Sequence, residues 1–147
     1  MKKWTVLGLA VFLGACSQQA SRRTEPQQEP AGPQEVTVKA VEFEFQGVPT
    51  TFEAGRTSFL LENDGKKPHE FGLVRITGDQ SVEELIELRQ RADEFIEDVG
   101  SAFARPGTSR RVTVELTAGR YGYACFVTTN QGEPHAVLGM FGEFTVA

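Results

Sequence analysis

The chain has 147 residues, and once an atypical amino-terminal stretch is set aside only about a hundred remain, enough for one domain and too few for a second catalytic one. Hydrophobic residues make up 39% of it and Phe alone contributes 11, so a domain of this size can bury a core without disulfide staples. Fifteen Lys and Arg stand against 20 Asp and Glu, a net charge of −5 with no dense basic stripe, which argues against nucleic acid as a partner.

Met1 to Cys16 opens with Lys2 and Lys3, continues through the apolar run Trp4 to Leu13 and ends in Leu13-Gly14-Ala15-Cys16. A basic start, a short apolar stretch and small residues before a cleavage point form an export signal. The apolar run is about ten residues, half of what a helix needs to cross a bilayer, so a permanent span is the weaker reading. Leu13-Gly14-Ala15-Cys16 also resembles the bacterial lipoprotein box, which implies that residues 1–15 are removed and that Cys16 becomes a lipidated first residue. Loss of Lys2 and Lys3 leaves 13 basic against 20 acidic residues, about −7, a charge suited to a basic partner surface. Ser17 to Gln34 is rich in Gln, Pro, Ser and Glu and has no aromatic residue, so residues 16–34 read as a lipidated cysteine and flexible tether. Residues 35–147 are then the folded domain.

Within that domain Glu35 to Gln46 alternates Val36, Val38 and then Val41, Phe43, Phe45 against polar neighbours, with one phase slip at Ala40 that reads as a bulge. Val48 to Phe52 and Thr57 to Leu61 are two further strand-like runs around a Gly55 turn. Asn63-Asp64-Gly65 marks a turn, and His69 to Ile76 begins a strand at the histidine. Ser81 to Val99 changes to a spacing of three and four, with Ser81 and Glu84 placed as a capping box, and predicts one amphipathic helix. Arg111 to Leu116, Tyr121 to Val127 and Phe141 to Val146 complete the strands. Short strands with glycine turns and no βαβ alternation predict an all-β fold, a Greek-key β-sandwich with one inserted α-helix.

The chemistry-bearing inventory is small. With Cys16 lipidated, Cys125 is the one free thiol of an exported chain, where unpaired thiols tend to oxidise. The mature part then holds one Cys, two His and one Met, namely Cys125, His69, His135 and Met140. Taken singly, a strand-end His is usually a hydrogen-bonding polar residue, and a lone Cys or Met usually core filler. Taken together, two His, one Cys and a weak axial Met are the ligand set of a blue-copper electron-transfer centre. No Gly-x-Ser-x-Gly, His-Glu-x-x-His or Gly-Lys-Ser/Thr sequence is present, so the chain is not expected to be an enzyme.

The order of these residues resembles the cupredoxin family: a first His at the start of an early strand, then a Cys-bearing strand, a loop, His, and Met. Gly119 to Cys125 looks like the family's strand entering the site, and Gly132 to Gly142 (GEPHAVLGMFG) resembles the His-to-Met loop of plastocyanin-like and rusticyanin-like members. Asn63 to Phe71 resembles the strand that carries the first His. The resemblance implies one type 1 copper ion held by His69, Cys125, His135 and Met140. It further implies a monomer passing single electrons to a redox partner such as a respiratory complex or oxidase, at the periplasmic or exterior face of a bacterial membrane. It also implies that His135 is the partly exposed ligand, set in an apolar docking patch of Pro134, Ala136, Val137 and Leu138. Phe71, Phe126, Val137 and Phe141 are expected to wall the site. Two features depart from the simplest members: nine residues separate Cys125 from His135, and Glu70 follows His69 where Asn or Ser is frequent. Two other readings stay open, a copper-delivery protein for oxidase assembly and a metal-free interaction module. The absence of a Met-rich or exposed Cys/His cluster disfavours delivery.

Overall fold

The computed structural model describes residues 32–147; the expected signal peptide, Cys16 and most of the tether lie outside the described residues. The alternating Val36, Val38 and Ala40 form β1 (Gln34–Val41), which pairs in parallel with β4 (Gly55–Asn63) so that Val36 lies beside Phe59 and Val38 beside Leu61. The phase slip is a hairpin rather than a bulge: the chain turns at Glu42 and Phe43 and returns as β2 (Glu44–Gln46), antiparallel to β1. With β7 (Ser109–Leu116) these make one sheet in the order β2-β1-β4-β7.

The second sheet runs β3-β9-β8-β5-β6. Here β3 is Thr51–Phe52, β5 is His69–Ile76 and β6 is Ile96–Ala104, while β8 is Gly119–Ala124 and β9 is Phe141–Val146. The two sheets face each other across Val38, Phe59, Leu61, Phe71, Leu73, Leu116, Tyr121 and Phe144, all almost fully buried. This aromatic-rich layer is a β-sandwich core, as the alternation predicted. A register shift between Leu73 and Val74 re-phases β5, so His69, Phe71 and Leu73 face the core while Ile76 joins a second cluster on the other side of the sheet.

The predicted helix is shortened. Helix α1 covers only Val82–Leu88, begun by the expected capping box, in which the Glu84 N–H donates to Ser81 Oγ at 3.2 Å and the Ser81 N–H donates to Glu84 Oε2 at 2.8 Å. Arg89, at φ 52°, breaks it, and a 3-10 turn over Arg89–Glu94 leads into β6. Ile96 and Val99 continue the helical spacing by coincidence but belong to a strand whose Ala102 and Ala104 pack under Phe71 and His69 across the β5–β6 ladder. Helix α1 rests on the outer face of the second sheet at Gly122, where an added Cβ would come within 2.7 Å of Val82 Cγ2. Among the described residues no helix is long and apolar enough to cross a membrane.

Candidate metal centre

One end of the sandwich gathers the sequence-predicted ligands. His69 is the first residue of β5, and its ring turns into the space between the sheets beside Ala104, its partner in register on β6. Cys125 directly follows β8, the neighbour of β5, so two adjacent strands deliver one imidazole and one thiol to the same level. The Glu70 N–H donates to Cys125 Sγ at 3.4 Å, a bond that needs only the backbone, so Glu in place of Asn or Ser at this position leaves it intact.

His135 and Met140 are tied to Cys125 through the main chain. The Ala136 N–H donates to the Cys125 carbonyl at 2.8 Å, the Cys125 N–H to the Met140 carbonyl at 3.0 Å, and the Met140 N–H to the His135 carbonyl at 3.1 Å. A 3-10 turn over His135–Leu138 and Gly139 at φ 100° reverse the chain within these few residues. The long Cys-to-His connection does not push His135 away, because it folds back on itself. The His135 N–H donates to the Val127 carbonyl at 2.9 Å, Thr128 bridges Pro134, and the tip is closed by the Thr129 N–H to the Glu133 carbonyl at 2.8 Å.

The result is a triangle of donor atoms. His69 Nδ1 and His135 Nδ1 are 3.2 Å apart, and Cys125 Sγ lies 3.5 Å from His135 Nδ1 and 3.9 Å from His69 Nδ1. All three residues are buried, and Met140 is buried in the same cluster as Cys125. Zinc binds His nitrogen at about 2.0–2.1 Å and Cys sulfur at about 2.3 Å, so an ion of that kind centred among three such donors leaves them roughly 3.5–3.8 Å apart. The observed edges of 3.2, 3.5 and 3.9 Å bracket that spacing. Burial pushes the Cys125 thiol above its ordinary range, and it holds both imidazoles below theirs: for His69 it outweighs the help of Glu42, and for His135 it is reinforced by His69 and Lys67. Two imidazole Nδ1 atoms face one point beside a thiol that would have to release its proton to bind a metal ion.

The surroundings differ from the expected wall. Phe71 is buried as expected, but Phe126 and Val137 are about half exposed and Phe141 packs toward the α1 cluster. The ring that covers the site is Phe43, 4.7 Å from the His135 ring, and His135 is 1% exposed rather than partly open. Two contacts had no local signal in the sequence. Glu42 Oε1 lies 3.2 Å from His69 Nε2, and buried Asn63 anchors the loop before His69 through three hydrogen bonds. The alternation of Val41, Phe43 and Phe45 placed Glu42 on the solvent side, where it does lie, but the turn at Glu42 and Phe43 brings its carboxylate to His69.

No protein-family model and no curated protein matches the chain. Solved structures do. The chain is similar to auracyanin A, a "blue" copper protein from Chloroflexus aurantiacus, at 20% identity over 79% of this chain and 100% of that one, with a TM-score of 0.54. It is similar to dithionite-reduced auracyanin from Roseiflexus castenholzii at 16% identity over 77% and 96%, TM-score 0.53. It is also similar to rusticyanin from Thiobacillus ferrooxidans at 22% identity over 77% and 76%, TM-score 0.50. Two facing sheets and one short helix agree with that likeness: the chain folds as a cupredoxin-type β-sandwich.

Proposed function

We propose that the domain binds one copper ion through His69 Nδ1, Cys125 Sγ and His135 Nδ1, with Met140 as weak axial ligand, and that it carries single electrons. The observation that carries this reading is the buried triangle of two imidazole nitrogens and one sulfur with edges of 3.2, 3.5 and 3.9 Å. Such a His2Cys set with an axial Met suits an ion that alternates between Cu(II) and Cu(I). The protein's part is to hold the donors still: β5 and β8 fix His69 and Cys125 by register, and the main-chain bonds among Cys125, His135 and Met140 fix the rest. Phe43 and the buried core keep water from the sulfur, which supports a stable thiolate bond and a tuned potential.

Electrons would leave on the side of the His135 turn. Phe126, Val137 and Leu138 are exposed there, whereas Ala136 of the expected patch is buried. A small apolar contact of this kind favours brief association and rapid exchange with a redox partner such as a respiratory complex or oxidase. Residues 1–15 would act as the export signal and Cys16 as the lipid attachment point, tethering the domain at a bacterial membrane surface.

The test is to load the protein with Cu(II) and record visible and paramagnetic resonance spectra beside Cys125→Ser, then titrate with a reductant. An intense thiolate-to-copper band that bleaches and returns on redox cycling, and is missing in Cys125→Ser, supports the carrier. Copper that binds without this band, or leaves on reduction, supports delivery instead. Incorporation of a labelled fatty acid that is abolished by Cys16→Ser tests the anchor.

A further inference from the structure

Both residues of the β1–β2 turn reach the metal centre: Phe43 covers His135, and the Glu42 carboxylate meets His69 from the side opposite the donor triangle. One oxygen, Glu42 Oε1, gathers three donors. It accepts from the Lys66 N–H and the Lys67 N–H at 2.7 Å each and lies 3.2 Å from His69 Nε2. The Lys66–Lys67 segment is the loop that leads directly into His69, so the carboxylate ties the hairpin, the loop and the ligand together. Room for this bond depends on Gly65: a Cβ there would lie 2.6 Å from Glu42 Oε1 and 3.1 Å from His69 Nε2.

The His69 side chain is fully buried and that of Glu42 is 26% exposed, so the pair is screened less than a surface contact. An anion that accepts from Nε2–H fixes which nitrogen of the ring carries the proton, leaves the Nδ1 lone pair facing Cys125 and His135, and makes the ring a stronger donor.

Resting on the copper reading above, we infer that Glu42 is a positioning residue: it sets the tautomer and orientation of His69, and its negative charge favours the oxidised over the reduced centre. Outer-shell partners of this kind are worth about 10–100-fold in metal affinity. The oxidised centre carries one more positive charge than the reduced one, so removal of the Glu42 charge weakens Cu(II) more than Cu(I).

The experiment compares wild type, Glu42→Gln and Glu42→Ala. Gln keeps a carbonyl oxygen for all three donors and removes only the charge, and so guards against a variant that merely misfolds. In the metal-free, nitrogen-15-labelled protein at neutral pH, long-range proton–nitrogen correlation should place the His69 proton on Nε2 in wild type and Glu42→Gln, and lose that preference in Glu42→Ala. In the copper-loaded protein, Glu42→Gln should keep the visible band and shift the Cu(II)/Cu(I) equilibrium about tenfold toward Cu(I), a rise of about 59 mV for a one-electron couple. A shift of less than twofold, or a wild-type proton on Nδ1, overturns the inference. If wild type gives no thiolate-to-copper band, the copper reading fails by itself, and the tautomer comparison alone decides the role of Glu42.

Discussion

Asn63 offers the sharpest test of how the loop before His69 is held. The residue is 2% exposed, and its Nδ2 donates to the Ala104 carbonyl at 2.9 Å and to the Lys67 carbonyl at 2.8 Å. Its Oδ1 accepts from the Gly65 N–H at 2.9 Å. Asn63→Ala removes all three bonds. The Ala104 carbonyl is buried and cannot find water, a loss of about 1–3 kcal/mol, while the partly buried Lys67 and Gly65 groups can rehydrate at about 0.5–1 kcal/mol each. The expected destabilisation is about 3 kcal/mol, or a melting temperature lower by about 12 °C in a domain of this size. Urea unfolding followed by circular dichroism measures it, with an unchanged denaturant slope as the sign that only stability moved. Asn63→Asp separates hydrogen bonding from size: a carboxylate oxygen would replace the Nδ2 donor between two carbonyl oxygens, so this isosteric change should cost at least as much at neutral pH and recover partly in acid. A loss below about 1 kcal/mol in Asn63→Ala, or a silent Asn63→Asp, refutes the reasoning.

Tyr121 stacks on Phe144 at 5.3 Å, its hydroxyl donates to the Thr117 carbonyl and accepts from the Thr117 N–H, both at 3.0 Å, so Tyr121→Phe should cost about 1–3 kcal/mol in a urea titration. Gly122→Ala drives a methyl against Val82 and should destabilise by about 1–3 kcal/mol, with a hydrogen-exchange increase concentrated in α1; an unchanged melt would show that α1 is not seated on the sheet there. In the metal-free protein burial holds His69 and His135 below their ordinary values, so as pH falls below about 6.5 the unfolded chain takes up protons first and stability drops. Cys125 is pushed the other way, so the unfolded thiol ionises first and stability also drops as pH rises above about 8.5; equal urea midpoints at pH 5, 7 and 9.5 would contradict this.

What the sequence made legible follows from locality. Two apolar, turn-bounded strands were readable to the residue, His69–Ile76 and Phe141–Val146, and the Ser81–Glu84 capping box was readable because both partners lie within one turn. Two His, one Cys and one Met in that order pointed to a shared site, and the structure brings His69, Cys125 and His135 together. The misses have non-local causes. Strand β6 exists because Ala102 and Ala104 fit beneath β5, a pairing invisible from a segment whose Phe95, Ile96 and Val99 extend a helical spacing. The exposure of His135 was misjudged because its cover, Phe43, comes from a hairpin far away in sequence, and the same hairpin supplies Glu42 to His69.

The two departures from the simplest pattern can be weighed by asking which atoms the site uses. Glu70 contributes its backbone N–H to Cys125 Sγ, so the side chain at that position is free to differ. The nine residues between Cys125 and His135 divide into a part that holds the site and a part that does not. The Val127 carbonyl accepts from the His135 N–H and the Cys125 carbonyl from the Ala136 N–H, so the first residues after Cys125 are in fixed register with the ligand turn. Thr129 to Glu133 close on themselves, with Gly132 at φ 86° and open space around it. Length added at that tip is therefore absorbed by the hairpin, because loop closure there costs only a few tenths of a kcal/mol per residue and moves no donor. One residue inserted between Cys125 and Val127 would instead put these two backbone bonds out of register with each other, and is expected to displace His135. Position within the connection, rather than its length, governs whether the three donors converge.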